Sequence, residues 1–315
     1  MHFASSSFRV AWQPFIVSCD GCDLEADQIS AVTHDRRTSY RRFKSKREKE
    51  NPLAVNQGTL EGKIIIVTGG SRGIGRAIAL RLAQEGGKLV LAARDPANLA
   101  KVVAEIETKA GTAVPVPTDL RLPEAPAALV NAALQRFGAV DIVVNNAGAT
   151  RRAEFAELSD ADWIDGFALK FFGAVRLTRA AWPHLKLSKG SVLNIIGVGG
   201  RTPGPEFTIG GSVNGACLSF TKALADVGVR DGVQVNAINP GWVRTDRLRA
   251  ILESEAARLG SGIEGAAQEI ARKSNIVRLG EPEDIANLAA FILSPQSRLL
   301  HGSLIDLDGG QTKTV

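Results

Sequence analysis

The sequence predicts one doubly wound α/β domain with a mostly parallel sheet, preceded by an extension of different character. Three observations predict it. Ile64-Ile65-Ile66-Val67 is an unbroken β-branched run, which suits a strand buried on both faces. It passes without a spacer into Thr68-Gly69-Gly70-Ser71-Arg72-Gly73-Ile74-Gly75, and then into an apolar helical face made by Ala77, Ile78, Leu80, Leu82 and Ala83. Further short apolar runs alternate with helical stretches to the end of the chain, the pattern of repeated βαβ units.

The elements follow in order. Lys88–Ala93 is the second strand and Ala97–Ala110 a helix, with Leu99, Val102, Val103 and Ile106 at helical spacing. Val114-Pro115-Val116-Pro117 is a short third strand whose prolines are unusual for a central position. Leu122–Phe137 is a helix, and Val140–Val144 is a strand that runs into Asn145-Asn146-Ala147-Gly148. Trp163–Leu185 is one long helix and Ser191–Ile196 the fifth strand; a further helix spans Gly210 to about Asp231. Arg230–Ile238 carries the sixth strand, closed by Pro240-Gly241. Arg247–Asn275 is helical and charged, broken at Gly260-Ser261-Gly262; Pro282–Leu293 is a helix and Leu299–Leu307 the last strand.

Composition bounds the function. The 315 residues are 44% hydrophobic, enough for a sizeable core. No run approaches the ~18 apolar residues of a membrane span, so a membrane role is not expected and the chain is expected in the cytoplasm. The net charge of +5 is modest for this length, and no recognition motif argues for nucleic acid. Of three cysteines, Cys217 sits in an apolar helix, while Cys19 and Cys22 lack the further ligands a zinc site needs. Residues 1–57 join an acidic stretch (Asp20 to Asp27) to a basic one (Arg36 to Lys49) without sustained apolar periodicity, and are expected to be disordered. Met1 is the only methionine, and a start near Val55 is one reading of that extension. The domain itself is expected over 58–315.

Strand, glycine-rich turn and helix together make a phosphate site. Glycines let a pyrophosphate approach the backbone, and the helix N-terminus offers free N–H groups and the positive end of its dipole. The spacing Thr68-Gly69-x-x-x-Gly73-x-Gly75 resembles the glycine motif of the short-chain dehydrogenase/reductase family. Asn145-Asn146-Ala147-Gly148, Asn239-Pro240-Gly241-Trp242-Val243-Arg244-Thr245, Gly280–Ala286 and Asp306–Gly310 resemble further landmarks of that family, in order, from about Leu60 to Gly310. The resemblance implies a single Rossmann-type domain and hydride transfer between a nicotinamide cofactor and a carbonyl or alcohol, with a non-catalytic, cofactor-binding sensor or subunit as the alternative. It implies cofactor contacts at Thr68, Gly69, Ser71, Arg72, Gly73, Ile74, Gly75, Asp119, Leu120, Asn146, Ala147, Gly148, Pro240, Gly241, Val243 and Thr245. It also implies a small-molecule substrate, a lid within 247–275, and a homodimer or homotetramer built on helices 163–185 and 210–231 through Phe171, Phe172, Leu218 and Phe220.

The end of the second strand selects the cofactor. An acid there hydrogen-bonds the ribose 2′-OH of NAD. Here Ala93 is followed by Arg94, and Arg72 lies in the glycine turn, so NADP(H) is expected over NAD(H). Asp95, one or two positions late, is the competing NAD-type acid.

The catalytic pattern departs from the resemblance. The family's Asn, Ser, Tyr and Lys fall on Lys170, Gly197, Gly210 and Asn214, and the chain's one tyrosine is Tyr40. Asn and Lys read as exchanged, Lys170 for the one and Asn214 for the other. Lys170, Asn214 and Ser212 are therefore the catalytic candidates, with Thr208 and Glu206 as other polar groups nearby; a partly desolvated Lys170 is expected to have a lowered pKa.

Overall fold

The computed structural model describes residues 58–313. The readings that fall on residues 1–57, including Cys19, Cys22 and Tyr40, lie outside the described residues.

Seven parallel strands form one sheet in the order β3-β2-β1-β4-β5-β6-β7. They are β1 (Ile64–Thr68), β2 (Lys88–Ala93), β3 (Thr112–Pro117), β4 (Ile142–Asn145), β5 (Ser191–Ile195), β6 (Gln234–Pro240) and β7 (Leu304–Leu307). The helices are α1 (Gly73–Gln84), α2 (Pro96–Glu107), α3 (Ala125–Phe137), α4 (Asp160–Gly166), α5 (Gly173–Ser188), α6 (Thr208–Asp231), α7 (Asp246–Leu259), α8 (Ile263–Ser274) and α9 (Pro282–Leu293). The β-branched run of β1 feeds both faces of the sheet. Ile65 and Val67 pack with α1, α2 and α9, while Ile64 and Ile66 pack with α3, α5 and α6. That alternation is the period of two expected of a strand, and it accounts for the absence of polar residues in the run.

β1 pairs with β2 on one side and β4 on the other, so the strand order reverses there. A doubly wound sheet opens its ligand crevice at this reversal, beyond the C-terminal strand ends. The prolines of β3 are resolved by topology: β3 is an edge strand, paired with β2 alone, so the missing N–H groups interrupt no second ladder.

Three expected boundaries need correction. The single helix 163–185 is instead α4, a π-helical turn over Phe167–Phe172, and α5. It begins early because Ser159 and Asp162 form a reciprocal capping box. The sixth strand begins at Gln234 rather than Arg230, because α6 runs to Asp231 and ends at a left-handed Gly232. The last strand begins at Leu304, after the left-handed Gly302.

A buried polar chain ties β4 and β5 to the helices behind the site. The Asn145 amide donates to Thr178 (3.0 Å) and to Asn194 Oδ1 (2.9 Å), the Asn194 amide donates to Thr221 (2.9 Å), and the Thr221 hydroxyl donates to the Cys217 carbonyl (2.8 Å). Pairing holds most of these polar groups in so dry a place, while Asn145 Oδ1 has no hydrogen-bond partner among the described residues. The helical pair α7 and α8 has its own small core of Leu248, Leu252, Ala256, Ala266 and Ala267. Among the described residues no helix is long and apolar enough to cross a membrane.

Candidate functional site

A cleft of about 910 Å³ lies beyond the C-terminal strand ends. At one end is the turn between β1 and α1. Gly69 has φ +65°, a conformation few other residues adopt. A Cβ on Gly75 would collide with the Gly69 carbonyl and the Asn146 amide, so helix and turn close to backbone contact there. The α1 N-terminus has no side-chain cap and no acid in its first turn. Its unpaired N–H groups and positive dipole end therefore face the cleft uncompensated, which fits a pyrophosphate.

The cleft is lined by Gly69, Ser71, Arg72, Gly73, Ile74, Gly75, Arg94, Asp119, Leu120, Asn146, Ala147, Gly148, Pro240, Gly241, Val243 and Thr245, residues that the sequence reading names together. Thr68 is the correction. It does not line the cleft: its buried hydroxyl accepts from the Asn146 and Ala147 amides (2.9 and 3.0 Å) and donates to the Val144 carbonyl (3.2 Å). It holds the tips of β1 and β4 together, and so positions the backbone that does face the cleft.

At the far end of β2, Arg94 lines the cleft and is exposed. Asp95 is committed elsewhere. One carboxylate oxygen accepts from the Ala97 and Asn98 amides (2.9 and 3.1 Å), the other from the Asn98 side chain (2.5 Å), which caps α2. Asp119 accepts from the Arg121 amide and guanidinium (3.1 and 3.2 Å).

Toward the other end, the π turn brings Leu169 and Lys170, adjacent in sequence, to the cleft wall. Lys170 Nζ donates to Asn214 Oδ1 (2.6 Å) and to the Ile196 carbonyl. Its stem packs against Gly148, where an added Cβ would lie 2.9 Å from Lys170 Cδ. Lys170 keeps part of its surface, but its ammonium end is enclosed, and burial pulls its pKa from 10.5 to about 8. Asn214 is buried at 3% exposure. Beside this pair, Gly197 has φ +128°, and a Cβ there would sit 3.2 Å from the Asn214 amide nitrogen. A serine at 197 would be strained in this backbone.

Ser212 is the second correction. It is exposed and does not line the cleft, because it lies two positions before Asn214 on α6, and residues so spaced project about 200° apart. Glu206 and Thr208 do not line it either. A Cβ on Gly210 would fall within the Phe207 ring. Phe207 thus fills the space any side chain at 210 would need.

Sequence reasoning missed two arginines in the wall, Arg152 and Arg247. The Arg152 guanidinium stacks over Phe207, 4.1 Å from the ring centre, and Arg247 donates to the Gly148 carbonyl (2.6 Å). Burial lowers the pKa of both, and for Arg247 the charges of Arg72 and Arg152 add to the effect. Their only signal in the sequence was position, four residues after Gly148 and two after Thr245.

Residues 69–312 match the family model described as enoyl-(acyl carrier protein) reductase. The chain is 36% identical over 262 residues to an uncharacterized oxidoreductase of Mycobacterium tuberculosis, covering 82% of this chain and 96% of that one. Among solved structures it is similar to L-sorbose reductase of Gluconobacter frateurii complexed with NADPH and L-sorbose, with TM-score 0.78 and 31% identity over 82% of this chain and 100% of the other. It is also similar to a 7α-hydroxysteroid dehydrogenase complexed with NADH and 7-oxo glycochenodeoxycholic acid, with TM-score 0.74 and 28% identity over 81% of this chain and 96% of the other.

Proposed function

Because the chain belongs to the short-chain dehydrogenase/reductase family, we propose that it transfers a hydride between NADP(H) and a carbonyl or alcohol substrate. The observation that carries this reading is the continuity of the cleft from the uncapped α1 N-terminus to the Lys170–Asn214 pair. When bound, the nicotinamide supplies or accepts the hydride.

The residues of this chain bind, orient and move protons. The turn at 69–75 and the α1 N-terminus hold the pyrophosphate, and the Asn146-Ala147-Gly148 backbone flanks the groove. Arg94 and Arg72 take the 2′-phosphate with charge-assisted bonds. The commitment of Asp95 to the α2 cap supports this preference, since no carboxylate at the end of β2 is left over for a ribose 2′-OH. A protonated Lys170 has three N–H donors. Two are used on Asn214 and the Ile196 carbonyl, which leaves one to reach a substrate oxygen or an intervening water. With a pKa near 8 it can give a proton to a nascent alkoxide and take one back in the reverse direction. Lys170 then does, from the facing helix, the proton transfer for which the family uses tyrosine.

The test is a cofactor titration followed by a carbonyl and alcohol screen, read by nicotinamide absorbance. The reading expects tighter binding of NADPH than NADH, and cofactor oxidation with at least one carbonyl class. Cofactor binding with no oxidation or reduction across the screen would overturn it.

A further inference from the structure

We infer that Arg152 and Arg247 form a clamp for an anionic group on the substrate, so that the molecule reduced is an oxo acid and the product a hydroxy acid. This names the substrate class of the reaction proposed above and rests on that reading.

The first support is the charge in the wall. Arg72, Arg94, Arg152, Lys170 and Arg247 line the cleft against Asp95, Asp119 and Asp246. Asp95 caps α2 and Asp119 holds Arg121, both toward the Arg94 end. Among the residues lining the cleft this leaves Asp246, in the first turn of α7, as the remaining acid on the side of Arg152 and Arg247. Glu206, outside the cleft, attracts Arg152 without an ion pair being formed among the described residues. Arg247 is close enough to Arg72 and Arg152 to be repelled by both. A cluster of like charges opposes folding unless something of opposite sign binds it.

The second support is donor geometry. A guanidinium carries five N–H donors in a planar fork that matches a carboxylate or phosphate. Among the described residues Arg247 uses its fork on the Gly148 carbonyl alone, and Arg152 makes no hydrogen bond. The Arg152 guanidinium lies over the Phe207 ring, 4.1 Å from its centre, and among the described residues its N–H groups have no hydrogen-bond partner. Gly148 connects the clamp to the acid–base group, since its carbonyl holds Arg247 and the Lys170 stem lies over its Cα. A bound anion therefore sets the distance from carboxylate to reacting carbonyl. In the reading proposed above the cofactor phosphates are held at the α1 N-terminus and by Arg94, while Arg247 also lies within reach of the charge of Arg72 in the glycine turn, so the experiment must separate an acid clamp from a cofactor-phosphate ligand.

The experiment uses NADPH-saturated protein and α-, β- and γ-oxo acids, each paired with its methyl ester. Initial rates are read by nicotinamide absorbance, and calorimetry follows binding of the same pairs. The clamp predicts that acids exceed their esters in kcat/KM by about 10- to 100-fold, the scale of a charge-assisted hydrogen bond. Arg152→Gln should lower kcat/KM for acids at least tenfold more than for esters, through KM, with NADPH affinity within about twofold; Arg247→Gln should act in the same direction. If no pair turns over, hydride transfer to these carbonyls fails, yet the clamp stands if acids bind and Arg152→Gln abolishes that binding. Equal use or equal binding of acids and esters would overturn the clamp. So would Arg152→Gln weakening NADPH while leaving the acid-to-ester ratio unchanged, which would make these arginines cofactor-phosphate ligands.

Discussion

The NADP(H) preference proposed for this chain rests on Arg94. It follows the last residue of β2, lines the cleft and has no competing acid available, because Asp95 is held by the backbone of α2. Arg94→Ala is expected to weaken NADP(H) by roughly 1.5–3 kcal/mol, the scale of one charge-assisted bond, with NAD(H) much less affected. Titration of both cofactors into both proteins measures this; equal wild-type affinities for the two would contradict it. The place of Arg94 at the cleft was legible in the sequence because that depends only on the end of one strand. The pairing of Lys170 with Asn214 was legible for a related reason: the expected register of two helices sets the two residues facing each other, and Lys170 Nζ lies 2.6 Å from Asn214 Oδ1. Arg152 and Phe207 were not legible. They meet through loops more than fifty residues apart, and neither loop has a periodicity that fixes where its side chains go. Thr68 and Ser212 were misread because proximity in sequence stands in poorly for direction. One points along the sheet into the next strand tip, and the other points around a helix away from its neighbour Asn214.

The decisive elements are the glycine turn and the π turn. In the first, the start of α1 meets the turn at backbone contact between Gly75 and the Gly69 carbonyl, so Gly75 serves packing as much as ligand approach. Gly75→Ala is expected to push α1 off the turn, lowering stability by ~1–3 kcal/mol, as overpacking does, and weakening cofactor binding. Urea denaturation with and without NADPH measures both effects; an unchanged midpoint and an unchanged shift by cofactor would refute it. Strand and helix placement was largely legible, since β1, β2 and α9 have uninterrupted apolar patterns. The π turn was not. Its i→i+5 bonding has no compositional signature, and Phe167-Ala168-Leu169-Lys170-Phe171-Phe172 reads equally well as ordinary helix. Lys170, which lines the cleft, lies within this turn.

At the scale of the whole molecule, we propose that α5 and α6 form the surface through which the chain self-associates. Phe172 is 44% exposed, while Phe171 turns inward onto Phe220 with ring centres 6.1 Å apart. Leu187 and Val229, near the ends of the two helices, are also exposed. Closed two-fold symmetry is the common solution for such a face, and a homodimer or homotetramer is expected by light scattering at micromolar concentration; a monomer would contradict it. The central claim, that the cleft is an oxidoreductase site whose proton is handled by Lys170, is tested most directly by the pH dependence of NADPH oxidation. The ammonium is charged below its folded pKa and donates in the reducing direction. The account therefore predicts kcat/KM for reduction level below about pH 8 and falling above it. In Lys170→Met the rate should be lower by about tenfold or more, with no inflection near pH 8 and cofactor affinity little changed. An identical rate and profile in Lys170→Met would contradict the account.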